Sequence, residues 1–138
     1  MRAAIIVTCA ASWYLVGLAV TVGMVTYPGF ALVGPNEWPR FHGHHSRRIA
    51  WAVGLAWVAQ AMGLIWWRLA SHGVPRDLMV TAGPAAAAVV LTAVAAVPLH
   101  QQLATRTEAA TLRRLRVVHG IRVALWVSAA FGATLALR

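Results

Sequence analysis

Histidines His42, His44 and His45 stand together ahead of the second apolar run of this sequence, His100 closes the third run, and His119 opens the fourth. Neutral imidazole is the commonest protein metal ligand and an effective acid or base near neutral pH. Helical bundles assemble metal sites from ligands that project from different helices. Three imidazoles suit zinc, copper or iron, whereas calcium and magnesium prefer oxygen. His45, His100 and His119 are therefore candidate ligands of a transition metal, iron or copper being the expected ions. Two of the same residues would also serve as axial ligands to a haem. A site that works by acid–base chemistry with no cofactor is the third option, and interfacial imidazoles that simply meet water and headgroups are the fourth.

Arg122 lies three residues beyond His119 and Trp126 four beyond that, so all three occupy one helical face. A cation at this depth costs about 2–3 kcal/mol on the insertion scale if unpaired. Such residues usually face the bundle interior and serve a function; the alternative is an arginine that snorkels to headgroup phosphates. The candidate catalytic set is His119, Arg122, His100 and His45. Tyr27 and Trp126 are expected to line a substrate pocket. Glu37, one of three acidic residues with Asp77 and Glu108, joins them as a partner for Arg122, a metal ligand or a proton carrier.

The elements that position these groups follow from composition. Of the 138 residues, 60% are hydrophobic and 11% charged, against about 25% charged in an ordinary soluble domain. So much apolar surface does not fit inside one soluble core of this size. The sequence predicts an all-α integral membrane four-helix bundle, a single domain over 1–138. Helices are expected at approximately 3–27, 48–69, 78–99 and 116–137, each near the roughly 20 residues that cross a bilayer. The first run is too long for a signal-peptide core and reads as a membrane helix. Tyr27-Pro28-Gly29 is expected to kink or end it. The alanine-rich third helix is expected to be the most closely packed of the four. Thr105, Thr107 and Glu108 mark the start of a short extra helix leading into Leu112 and Leu115. Cys9 stands alone, so there is neither an internal disulfide nor a C-x-x-C motif.

With four crossings, His42, His44, His45, His100 and His119 share one end of the bundle, together with Tyr27 and Glu37; His72 lies at the other. The formal charge of +9 comes entirely from arginine. Those arginines fall between apolar runs, as topogenic charge does, which argues against nucleic-acid binding. Seven (Arg40, Arg47, Arg48, Arg106, Arg113, Arg114, Arg116) lie on the histidine-bearing side and four (Arg2, Arg68, Arg76, Arg138) on the other. The positive-inside rule then puts both termini outside and the first and third loops in the cytoplasm. Expected partners are the lipid bilayer and a lipophilic small molecule, with a homo-oligomer as an option through small-residue faces such as Ala129 and Ala133.

Several short motifs also resemble a known group. Thr26-Tyr27-Pro28-Gly29-Phe30 ends the first helix, Phe41 and His45 precede the second, Val97-Pro98-Leu99-His100 with Leu103 closes the third, and His119, Arg122 and Trp126 lie in the fourth. This series is similar to that of the anthrone-oxygenase-like family of small four-helix membrane proteins. The resemblance implies an oxygenase that oxidises an aromatic polyketide at an activated carbon. Members of that group often have Asn where this chain has His100, and some have Asn in place of His119. The leading expectation is thus a membrane oxidoreductase acting on a lipophilic aromatic or quinone-like molecule. A haem-binding electron carrier and a non-enzymatic accessory or transport subunit are the competing ones.

Overall fold

A computed structural model describes all residues, 1–138, as an all-α integral membrane four-helix bundle. Its helices are α1 (Arg2–Leu32), α2 (Trp38–Leu69), α3 (Arg76–Gln102) and α4 (Ala109–Leu135), each long and apolar enough to cross a membrane. Large apolar side chains such as Met24, Leu55, Met62, Val90, Val94 and Ile121 cover the outside of the bundle, as a lipid-facing surface requires. The helices run α2, α1, α4, α3 across the molecule: α1 packs on both α2 and α4, α4 packs on α3, and α2 and α3 barely touch.

Each helical hairpin is closed by a glycine against a threonine. A side chain at Gly63 would lie 2.5 Å from Thr8 Oγ1 and 3.0 Å from its backbone nitrogen. One at Gly132 would lie 2.8 Å from Thr81 Oγ1 and 3.2 Å from its nitrogen. Both threonine hydroxyls donate into their own helices, to the Ala4 and Asp77 carbonyls, so the close approach strands no polar group. Small residues that let backbones meet are the usual glue of membrane helices.

Prolines shape the other half. Pro28 and Pro98 lack the N–H that would extend a regular helix. In both α1 and α3 the chain responds with a π-helical turn, at Val22–Thr26 and Thr92–Ala96. Tyr27 N–H then bonds Val22 O, and Val97 N–H bonds Thr92 O, five residues back instead of four. The helix therefore passes Pro28 and ends as a short turn at Phe30–Leu32.

Three expectations change. α2 starts at Trp38, not 48, because Pro39 suits the first helical turn and the polar stretch after it continues as helix beyond the apolar run. Trp38 is fully buried and its Nε1–H donates to Leu103 O at 2.6 Å, tying the start of α2 to the end of α3. α4 starts at Ala109, not 116: Glu108 is its N-cap residue and accepts from the Thr111 hydroxyl, so no separate short helix precedes it. Finally, α3 is not the most packed helix. The apolar windows of α1 and α4 are each 33% buried, that of α3 22%, because α3 has only one close neighbour.

Candidate functional site

Where α2 and α3 fail to meet, a cavity of about 500 Å³ opens between them, floored by α1 and α4. Its wall is mainly apolar, with Leu15, Val22, Ile49, Val53, Trp57 and Trp126 among the residues contributing. Its polar side chains gather towards one end. Tyr27, His42, His45, Ser46, His100, His119 and Arg122 all line it. The rim residues Ala50 of α2 and Val97 and Gln101 of α3 are exposed, so the opening faces outward between these two helices.

The two π-turns set the register. Val22 and Tyr27 both face the cavity although five residues apart, the interval of an i→i+5 turn. A regular α1 would bring Thr26 round instead. On α2 the lining residues His42, Ser46, Ile49, Val53 and Trp57 recur every three or four positions, which is the stripe of one helix face. His44 falls off that stripe and is exposed.

His119 is 6% exposed, and its Nε2 lies 2.8 Å from Ala19 O. A carbonyl only accepts, so Nε2 carries a hydrogen, and in the neutral ring Nδ1 holds the lone pair. Gly23 makes room for the ring: a side chain there would come within 3.1 Å of Nε2. The Tyr27 ring stands edge-on to His119, centroids 4.9 Å apart. Beyond it Tyr27 Oη lies 3.4 Å from His100 Nε2, and His100 Nδ1 lies 3.2 Å from His42 Nε2. His42 is itself 3% exposed and stacks on Trp38 at 5.1 Å. His45 completes the group, its ring centred 6.4 Å from that of His100.

Among all half-buried and buried side chains, four contain a buried polar atom without a hydrogen-bond partner: Ser46 Oγ, Trp57 Nε1, His119 Nδ1 and Arg122 Nε. All four residues line this one cavity. Buried polar groups in native proteins are normally satisfied, and exceptions cluster where a ligand, water or ion belongs.

The structure thus brings His45, His100, His119, Arg122, Tyr27 and Trp126 to one cavity. Arg122 is half-buried there and not turned out to the lipid surface, and Trp126 packs against Trp57, centroids 6.5 Å apart. Glu37 is the exception. It is exposed beside the start of α2, its carboxylate against Gly34, and it does not line the cavity; Pro35 and Asn36 turn the chain outward before α2 begins. His45, His100 and His119 do not form a metal-holding group: no three His, Cys, Asp or Glu side chains are so arranged. One nitrogen of His119 is committed to Ala19, and His100 is bonded to His42. His42, Ser46 and Trp57 were not in the expected set. Their i, i+4 and i+3 spacing with Ile49 and Val53 is the signal that finds them once α2 is started at Trp38.

Comparison with protein-family models, with curated proteins and with solved structures finds no match to this chain.

Proposed function

We propose that this chain is a membrane-embedded oxidoreductase of the oxygenase type, which binds a lipophilic aromatic or quinone-like molecule in the cavity and holds its ionised oxygen against Arg122. The observation that carries the reading is the guanidinium. Arg122 stands in a largely apolar wall, its Nε unpartnered, and no Asp or Glu lines the cavity to neutralise it. A cation fixed in such surroundings stabilises a phenolate or enolate far more than it would in water. The volume of about 500 Å³ is that of a small-molecule pocket.

His119 is the base in this scheme. Its Nε2–H is anchored on Ala19, which leaves Nδ1 to take a proton from a hydroxyl or an activated C–H of the bound molecule. Arg122 holds the resulting oxyanion, while Trp57, Trp126 and Tyr27 flank the rings. The resemblance to anthrone oxygenases names the reaction: an activated methylene and one dioxygen give a carbonyl and one water. The four electrons that dioxygen takes up come from the two C–H bonds of the methylene. The arginine excess on the site's side of the bundle supports a cytoplasmic cavity with both termini outside.

Oxygen uptake by protein in lipid nanodiscs, supplied with a dihydroxyanthrone, tests the proposal. The expected result is one dioxygen consumed per anthrone converted to anthraquinone, and a fall in kcat/KM of about a hundredfold or more in His119→Gln. Uptake no faster than in empty nanodiscs, or a His119→Gln variant as active as the parent, refutes it.

A further inference from the structure

We propose that Tyr27, His100 and His42 form a proton relay joining the cavity to the polar end of the bundle. The inference rests on the preceding reading in one respect, that the cavity's occupant gives up or takes a proton. Its own basis is a continuous run of contacts across three helices. Tyr27 of α1 meets His100 of α3 at 3.4 Å, and the opposite nitrogen of the same ring meets His42 of α2 at 3.2 Å. The far nitrogen of His42, Nδ1, is not among the buried unpartnered atoms. His42 itself lies one turn from the start of α2, in the polar stretch that also carries Arg40, His44 and Arg47.

A relay needs contacts that work in both directions, and these do. In one state the Tyr27 hydroxyl donates to His100 Nε2, His100 Nδ1–H donates to His42 Nε2, and His42 keeps its hydrogen on Nδ1. In the other, His42 Nε2–H donates to His100 Nδ1 and His100 Nε2–H donates to Tyr27 Oη. Passage from the first to the second takes one proton into Tyr27 Oη from the cavity and releases one from His42 Nδ1. Each imidazole exchanges one N–H for the other, no electron moves, and the net charge of the trio is unchanged. The second state carries a proton back inward by the reverse steps. His119 stands apart from this chain, since its Nε2–H is held by Ala19; all three relay members line the cavity, and Tyr27, whose ring meets His119 edge-on, is the one nearest the proposed base.

The packing makes the test clean. His42 stacks on Trp38 and meets Phe30 edge-on at 6.1 Å, so His42→Phe keeps an aromatic ring in an aromatic slot, and Tyr27→Phe removes only a hydroxyl. A hydroxyanthraquinone, whose colour reports its own protonation, is bound to protein in nanodiscs and followed after a rapid pH jump. The parent is expected to let the bound dye equilibrate at least tenfold faster than His42→Phe or Tyr27→Phe does, and added imidazole is expected to restore part of the rate in His42→Phe. Equal rates in parent and variants overturn the relay. If the dye does not bind the parent, the proposed occupant is wrong and the relay is judged on the empty protein: magnetic resonance of isotope-labelled histidine is expected to show His100 exchanging between two tautomers, and Tyr27→Phe to stop that exchange. A His100 held in one tautomer overturns the relay on its own.

Discussion

The two ends of this bundle treat buried polar groups in opposite ways. At the end holding Thr8, Ser12, Gln60 and Thr81, every buried side-chain hydroxyl and amide is spent: Thr8 on Ala4 O, Ser12 on Thr8 O, Gln60 on Ser12 Oγ, Thr81 on Asp77 O. Glycines at 63 and 132 bring the backbones together there. At the other end the helices part, and Ser46, Trp57, His119 and Arg122 each keep an atom unpaired. One region is complete in itself and fixes the hairpins. The other keeps unpaired polar atoms and a cation, the combination that makes it the candidate site of the bundle.

Substitutions that close or open either region sharpen this contrast. The largest effect is expected from Gly63→Ala combined with Gly132→Ala. Each methyl meets backbone and hydroxyl atoms of a facing threonine, an overpacking that costs about 1–3 kcal/mol per site. The two lie in different hairpins and are expected to add, read as a lowered midpoint in detergent-induced unfolding. Next comes Arg122→Met, with the opposite sign: removing an uncompensated cation is expected to leave stability unchanged or raise it by up to about 2–3 kcal/mol in the same assay, while the proposed turnover is expected to be lost. A smaller and more pointed test pairs two serines. Ser12→Ala strands the Gln60 amide and is expected to cost about 1–3 kcal/mol, whereas Ser46→Ala removes a hydroxyl that has no partner and is expected to cost nothing. A small gain belongs to Gly17→Ala. Nothing lies within 4 Å of a side chain there, so this change is expected to stabilise α1 by roughly 0.5–1 kcal/mol through helix propensity alone.

Much of this architecture is legible in the sequence because hydropathy and parity are strong signals. Four apolar runs, the fourth interrupted by Arg122, give four crossings, and counting crossings puts His42, His45, His100 and His119 at one end without any three-dimensional knowledge. What hides is register. The polar residues before Ile49 look like a loop on a hydropathy scale, yet Trp38 and Pro39 begin a helix that swings His42 inward and His44 outward. The turns at Val22–Thr26 and Thr92–Ala96 are invisible because proline announces a break, not its repair by one extra residue per turn. Glu37 shows the reverse error: an acidic residue near a lone arginine invites pairing, but Pro35 and Asn36 set it outside. Alanine content in α3 pointed to tight packing, whereas the number of neighbours decides burial, and α3 has one.

All of this turns on Arg122 as the anchor for an acidic, lipophilic guest. The most direct check compares the affinity of a hydroxyanthraquinone with that of its methyl ether, for the parent protein and for Arg122→Met, in nanodiscs. The account predicts that the ionisable compound binds the parent at least tenfold more tightly than its ether, as a charge-assisted hydrogen bond of about 1.5–3 kcal/mol requires, and that Arg122→Met erases the preference. Equal affinity for both compounds in the parent, or a preference that survives in Arg122→Met, contradicts it.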